Sequence, residues 1–405
     1  MDGFRTVGHP AAIGAVRAML ATHVPHAVLL TGPASVGKHA LAIDLAAGLL
    51  CAGATGGDRP CRSCRACRMV EHGNHPDLHR LEPEGPGGQV GIGGKDGRRG
   101  VRDLVTELAL LPVEAVARVA IIRDAHRMND DAQSALLKTL EEPPAGTTLI
   151  LVADDEERLL PTVRSRCARI RLGALGARDI ETLLGDRALA DAPTAARLAR
   201  LAGGRSGLAV AYAKAPEAEA IRHELSRTLL DLLRAGRAAR LLAARDLIAR
   251  AGALATLLAP AAAPTAAVAP GRGRGRGSRA AAAKPADPAD PAATTGAGDA
   301  PAGTPDEPVA KVSASERRRA LALLLDAWRD LARDLALAQL GATGDVRDVA
   351  LLEELEAAAR ALPDGAAATA LARLVRATEL VDANVSPELV LDVVILRWPR
   401  IRAAA

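Results

Sequence analysis

Three sets of residues in this chain have the types and spacing to do chemistry. The first lies in "TGPASVGKHALA", Thr31 to Ala42, where Gly32-Pro33-Ala34-Ser35-Val36-Gly37-Lys38 has the spacing of a phosphate-cradling loop. Gly32 and Gly37 let backbone N–H groups approach phosphates, Lys38 can reach the outer phosphates, and a helix with Leu41, Leu45 and Leu49 on one face follows. A Ser or Thr normally comes next and holds magnesium, but here the residue is His39. Magnesium prefers hard oxygen ligands, and an imidazole replaces a hydroxyl poorly, so tight binding of ATP with magnesium is not expected.

The second set is the other half of such a site, an apolar strand ending in an acid: "VAIIRDAH" runs from Val119 to Ile122 and then supplies Asp124. A hydrolase of this type uses an adjacent Glu to position the attacking water, and that position is Ala125. Without another carboxylate reaching in, the missing general base costs roughly 10²- to 10⁴-fold in rate.

The third set is Cys51-x9-Cys61-x2-Cys64-x2-Cys67. Four thiolates suit tetrahedral zinc, and two-residue gaps let neighbouring sulfurs face one centre. His72, His75 and His79 follow closely and are alternates for a ligand. A bacterial iron–sulfur run would continue with x3-Cys-Pro, and Glu71 stands at that fourth position, so zinc is the expected ion. A closed four-thiolate site is structural, not catalytic. The fifth cysteine, Cys167, stands apart at the end of "LLPTVRSRC", where Arg166 taken alone would be an ordinary surface cation.

These residues need elements to hold them. Up to about Leu172 short apolar runs alternate with helical patterns, the signature of an α/β domain with a parallel sheet. The expected strands are Ala27–Leu30, Asp77–Leu81, Val119–Ile122, Leu149–Val152 and Ala168–Leu172. After Gly173 the pattern is helical: short helices at Asp179–Leu184, Thr194–Leu201 and Gly207–Ala213, then one long run from Pro216 to about Leu258. Ser315 is the expected cap of a helix carrying Leu321, Leu324, Leu325, Trp328, Leu331 and Leu335 and ending near Gly341, and Ser386-Pro387-Glu388 starts another. Between them, residues 259–313 are rich in Pro, Ala and Gly, with too few bulky apolar groups to offset the entropy of ordering, and read as a disordered linker. Its Arg272, Arg274, Arg276 and Arg279 could touch phosphates non-specifically, but solvated linker is the stronger reading.

A chain of 405 residues, 49% hydrophobic, can bury sizeable cores, and at roughly 100–200 residues per domain it divides into two to four. One Phe, one Tyr and two Trp leave the cores to Ala, Leu and Val and argue against stacking on bases. The net charge of +4 tolerates nucleic acid without demonstrating it. No basic segment followed by an apolar one opens the chain, and the uncharged run 251–270 is broken by Pro260, Pro264 and Pro270, so a cytoplasmic protein with no membrane contact is expected.

Taken together, "HAVLLTGPASVGKHALA", the four-cysteine insertion, "HPDLHRLEPEG", "VRDLVTEL", "DAHRMNDDAQSALLKTLEEPP" and "LLPTVRSRC" resemble the delta-prime subunit family of the bacterial DNA polymerase III clamp loader. The resemblance covers about residues 5–213 well and the C-terminal helices loosely, through "RDLALA" at Arg333–Ala338 and "NVSPEL" at Asn384–Leu389; the linker 259–313 departs from it.

The resemblance implies an AAA+ fold. A RecA-like domain would span 1–173 with a zinc module at 51–67, a small helical lid 174–213, and an all-α collar 214–405 interrupted by the linker. It also implies that Ser165-Arg166-Cys167 carries an arginine finger acting in trans on a neighbour's nucleotide, a role worth roughly 10³–10⁵ in the best cases. Motor members of the group carry a phosphate-sensing Arg in the lid, and the matching position here is Gly207, with Arg205 two residues off.

The implied role is a stator-like subunit with a degenerate nucleotide site at Gly32, Gly37, Lys38, His39 and Asp124. It would work with tau/gamma ATPase subunits and a delta subunit to load the sliding clamp at primed DNA, in the cytoplasm at the replisome. Lys38 and Asp124 also permit a second reading, an active motor subunit of tau/gamma type; a third is a zinc-stabilised DNA-binding module outside any ring.

Overall fold

The computed structural model describes residues 3–84, 88–93, 98–258 and 313–401. The linker expectation for 259–313, with its four arginines, falls outside the described residues except at Ser313.

The chain opens with α1 (Pro10–Ala21), then β1 (Ala27–Thr31), α2 (Lys38–Leu50), α3 (Arg65–His72) and β2 (Leu78–Leu81). There follow α4 (Val101–Leu108), β3 (Arg118–Ile122), α5 (Asp130–Glu141), β4 (Thr147–Ala153), the single-turn α6 (Pro161–Arg164) and β5 (Ala168–Arg171). All five expected strands are present, and each pairs in parallel to give one sheet in the order β2-β3-β4-β1-β5.

Alternation along the strands explains why the sheet needs helices on both faces. Val28, Leu30, Val119, Ile121, Ile150 and Val152 point to one side, where they meet Val16 and Leu20 of α1 and Leu41 and Leu45 of α2. Their neighbours Leu29, Ala120, Ile122, Leu149 and Leu151 point to the other and meet Leu104 and Leu108 of α4 and Leu136 and Leu140 of α5. β1, β3 and β4 are buried along their whole length, which accounts for the apolar runs Ala27–Leu30, Val119–Ile122 and Leu149–Ala153 within them. Asn129 caps α5, its side chain accepting from the Ala132 amide at 2.9 Å, and the helix stops before Pro143.

The rest is helical: α7 (Ala177–Asp186), α8 (Ala192–Ala202), α9 (Ser206–Lys214), α10 (Pro216–Asp231), α11 (Arg237–Leu257), α12 (Ala314–Gln339), α13 (Leu352–Ala361), α14 (Ala366–Asp382) and α15 (Pro387–Leu396). The long run expected from Pro216 to Leu258 is two helices. After Asp231 the chain tightens, with the amides of Leu233, Arg234 and Ala235 bonding back to Leu230, Asp231 and Leu232, and Gly236 starts the next helix. Tertiary contacts hold that break: buried Arg240 donates to the Leu232 carbonyl and to those of Trp398 and Pro399, and the Ile401 amide bonds Leu233.

The cap of α12 is Ser313, not Ser315. Ser313 and Glu316 form a reciprocal capping box, with Glu316 N to Ser313 Oγ at 3.2 Å and Ser313 N to Glu316 Oε2 at 2.8 Å, whereas the residue three beyond Ser315 is Arg318, which cannot accept. Ser386 caps α15 as expected. The aromatic residues are largely interior: Trp328 and Trp398 pack edge to face at 5.3 Å and Tyr212 is buried, so they offer no stacking platform. No helix among the described residues is long and apolar enough to cross a membrane.

Candidate functional site

β1 sits between β4 and β5 although it precedes both, so the chain changes direction across the sheet there, and the crevice beyond the strand ends is where such sheets bind ligands. The glycine-rich loop lies at this point, joining β1 to α2. Its shape requires glycine at two places: Gly32 has φ +138 and a Cβ there would lie 1.9 Å from the Leu172 carbonyl oxygen, and Gly37 has φ +105 directly before the helix. Loop and helix N-terminus therefore keep the form of an anion cradle.

Within that cradle Lys38 is fully engaged by its own chain. Its ammonium, 4% exposed, donates to the Gly32 carbonyl at 2.6 Å and to the Pro33 carbonyl, and pairs with Asp154 Oδ1 at 2.8 Å. An ammonium has three protons, and three acceptors take them. Asp154 follows β4 directly, so it reaches Lys38 because β4 is the strand next to β1. It was not among the candidates read from the sequence, although "LVADDEE" offered the same signal as Asp124, an apolar strand ending in acids.

Asp124 follows β3 in left-handed backbone (φ +47) and lies near Asp154 and His126, with donor atoms of the three residues within 4.8 Å of one another. His126 Nδ1 accepts from the Asp154 amide at 3.2 Å, and burial lowers its pKa, favouring the neutral ring. Ala125 is completely buried in the core beneath the sheet. A second carboxylate does reach the crevice, that of Asp154, but it is the counter-ion of Lys38, not a free base.

His39 stands where the hydroxyl ligand was sought, directly after Lys38 in the first turn of α2. Burial, and then the positive charges of Arg123 and Arg80, push its pKa down to about 3, so the ring is neutral among cations, an unfavourable neighbourhood for a dication. Gly207 packs against the loop: its amide donates to the Ser35 carbonyl at 2.7 Å, and a Cβ there would come within 2.9 Å of that oxygen. Ser206 Oγ and His9 Nε2 both bond the Val36 carbonyl, at 3.2 and 2.8 Å. Arg205 faces elsewhere, bound to Asp326 and, at 2.9 Å, to Asp330, an acid shared with Arg222 and Arg347.

The four cysteines converge from Cys51 after α2, Cys61 in the following loop, Cys64 at the cap of α3 and Cys67 inside it. Their sulfurs lie within 4.8 Å of one another, and a tetrahedral four-thiolate zinc site has sulfurs about 3.8 Å apart, so the set fits one metal ion after small side-chain shifts. The Ser63 hydroxyl brings the Cys61 thiol down to about 6, while burial pushes Cys67 up. The alternates are employed otherwise or stay outside the cluster: His75 accepts from the Asp77 amide, His79 bonds Glu107 at 2.8 Å, and His72 is exposed. Arg62 of the insertion pairs with Asp44 of α2, which is wholly buried and also accepts from Thr6 Oγ1 at 2.6 Å, so the module is tied to the helix that follows the loop.

Arg166 lies in the turn between α6 and β5, about one-third exposed, with its guanidinium on Glu141 at 2.8 Å and on the Thr162 carbonyl at 2.9 Å. Cys167 beside it bonds the Val163 carbonyl, and burial raises its pKa to about 11, which favours the thiol over the reactive thiolate.

Residues 9–176 match the family described as "DNA polymerase III, delta subunit". The DNA polymerase III subunit delta' of Pseudomonas aeruginosa is 40% identical over 187 residues, 44% of this chain and 53% of that protein. The DNA polymerase III subunit tau of Salmonella typhimurium is 35% identical over 101 residues, 24% of this chain and 16% of that protein. A gamma subunit-related protein of Thermotoga maritima aligns with 96% of this chain and 100% of its own at 16% identity and a TM-score of 0.41. The chain thus spans about half the length of the first of these relatives and less of the second. The loop, the four-cysteine insertion and the Ser165-Arg166-Cys167 turn all fall inside the matched stretch, and over it the chain is similar to the delta' subunits of DNA polymerase III.

Proposed function

We propose that this protein is a stator-like subunit of the replicative clamp loader: it lends Arg166 to the nucleotide site of an ATPase neighbour of tau/gamma type and hydrolyses little ATP itself. One contrast carries the reading. Lys38, His39, Ala125 and Gly207 are each engaged or buried within the chain, while Arg166 stands partly exposed on a short turn at the end of the sheet. A guanidinium presented to a neighbour's γ-phosphate stabilises charge that develops during transfer, which needs positioning and no chemistry from the donor subunit.

In this reading residues 1–173 form the RecA-like part, 174–213 the lid and 214–405 the collar that joins subunits into a ring. A delta subunit, the sliding clamp and primed DNA complete the cytoplasmic assembly. The four cysteines hold a structural zinc ion, and the link from Arg62 to Asp44 makes that ion a brace for α2.

The test is ATP turnover by the isolated protein. The stator reading expects none above background, and magnesium-dependent turnover of about 1–10³ per second would establish the motor reading instead, which Lys38, Asp124 and the likeness to tau keep in view.

A further inference from the structure

We propose that Asp154 is the residue that excludes nucleotide from the glycine-rich loop, a carboxylate built into the chain that occupies Lys38 in place of a phosphate. The inference rests on the stator reading and goes beyond it, since it names one side chain as the cause of exclusion.

The backbone of the cradle is intact: Gly32 and Gly37 take their positive φ values and α2 begins at Lys38. What a phosphate would lack is a free cation. Lys38 has its three acceptors, and of these only Asp154 carries charge, so it sets the electrostatic competition an incoming anion must win. Asp124 lies close by and adds negative charge, while burial keeps His126 neutral and unable to offset it. A phosphate entering the loop would displace one carboxylate from Lys38 and then sit beside two. Magnesium offers little relief on the other side of the loop, where neutral His39 is flanked by the charges of Arg80 and Arg123.

Asp154→Asn removes the charge and retains the shape. The side chain is 37% exposed, and its backbone amide still bonds His126, so the variant should fold. The experiment titrates a fluorescent ADP into the full chain, with and without magnesium, for wild type, Asp154→Asn and the double variant Asp154→Asn/Lys38→Ala, with melting curves as the folding control. The expected result is at least tenfold tighter binding by Asp154→Asn than by wild type, returned to the wild-type level in the double variant. Equal binding by wild type and Asp154→Asn, whether tight in both or undetectable in both, would overturn the assignment, and so would a gain that survives loss of Lys38. Failure here is separable from failure of the stator reading, because a wild type that binds ADP as well as the variant yet turns over no ATP leaves that reading standing.

Discussion

The guanidinium of Arg166 is held 2.8 Å from the Glu141 carboxylate of its own chain. Glu141 is the last residue of α5, stopped there by the prolines that follow, so the end of one helix aims the side chain of a turn far along the chain. The pair is partly exposed, and such pairs contribute only about 0–1 kcal/mol. Arg166 is therefore oriented without being needed for the fold, as the proposed presentation to another subunit requires.

Arg166→Ala should leave the melting temperature within about 2 °C of wild type, because it removes only a weak surface pair and one exposed hydrogen bond to the Thr162 carbonyl. In an assembly reconstituted with ATPase subunits, hydrolysis at the interface that the proposed role assigns to Arg166 should fall by about 10³-fold. Arg166→Lys should rescue it poorly, since an ammonium lacks the planar fork. Unchanged hydrolysis by the Ala variant would remove Arg166 from the mechanism.

Metal analysis of the purified protein should find about one zinc per chain, bound by Cys51, Cys61, Cys64 and Cys67. Cys64→Ser should lower that stoichiometry and loosen α2, read as faster amide exchange between Lys38 and Leu50. Iron, or no metal, would refute the assignment.

Asp330 joins Arg205, Arg222 and Arg347 in the helical part of the chain. Burial alone would raise its pKa, but the three guanidinium groups hold it below the ordinary carboxylate range. Its contribution is thus complete above about pH 4 and is lost as pH falls through the lowered value. Asp330→Asn leaves buried Arg222 without its counter-ion and should cost about 3–5 kcal/mol in urea unfolding, against under about 1 kcal/mol for the more exposed Asp326→Asn.

His39 has a folded pKa of about 3 against an ordinary value of 6.5. Between those values the unfolded chain binds the extra proton, so the stability it confers is full above about pH 6.5 and falls as pH drops toward 3. From pH 7 to pH 5 the wild type should lose about 2 kcal/mol more than His39→Gln, measured by urea unfolding at each pH. Parallel pH profiles for the two proteins would show that His39 is not held neutral by its surroundings.

Much of this protein is legible in its sequence because it is written in local patterns. The five strands follow from short apolar runs between turn signals, the loop from its glycine and lysine spacing, the cysteine cluster from Cys-x2-Cys-x2-Cys, and the caps of α5 and α15 from Asn129 and Ser386. Each signal spans a few residues, over which backbone preference and side-chain reach decide the outcome. The break between α10 and α11 was not legible, since helical periodicity continues through it and the contacts of Arg240 and Ile401 come from the far end of the chain.

The same division runs through the candidate site. His39 and Ala125 departed from the pattern of a hydrolysing site at known spacings in the sequence, and Gly207 departed from it through the resemblance. Only the tertiary structure showed Lys38 occupied by Asp154, Arg205 drawn off to Asp330, and Arg166 aimed by Glu141. Those pairings depend on which strand ends and helices adjoin in space. The sheet order β2-β3-β4-β1-β5 sets β4 beside β1 and so brings an acid to the lysine, a consequence of folding that no local spacing encodes.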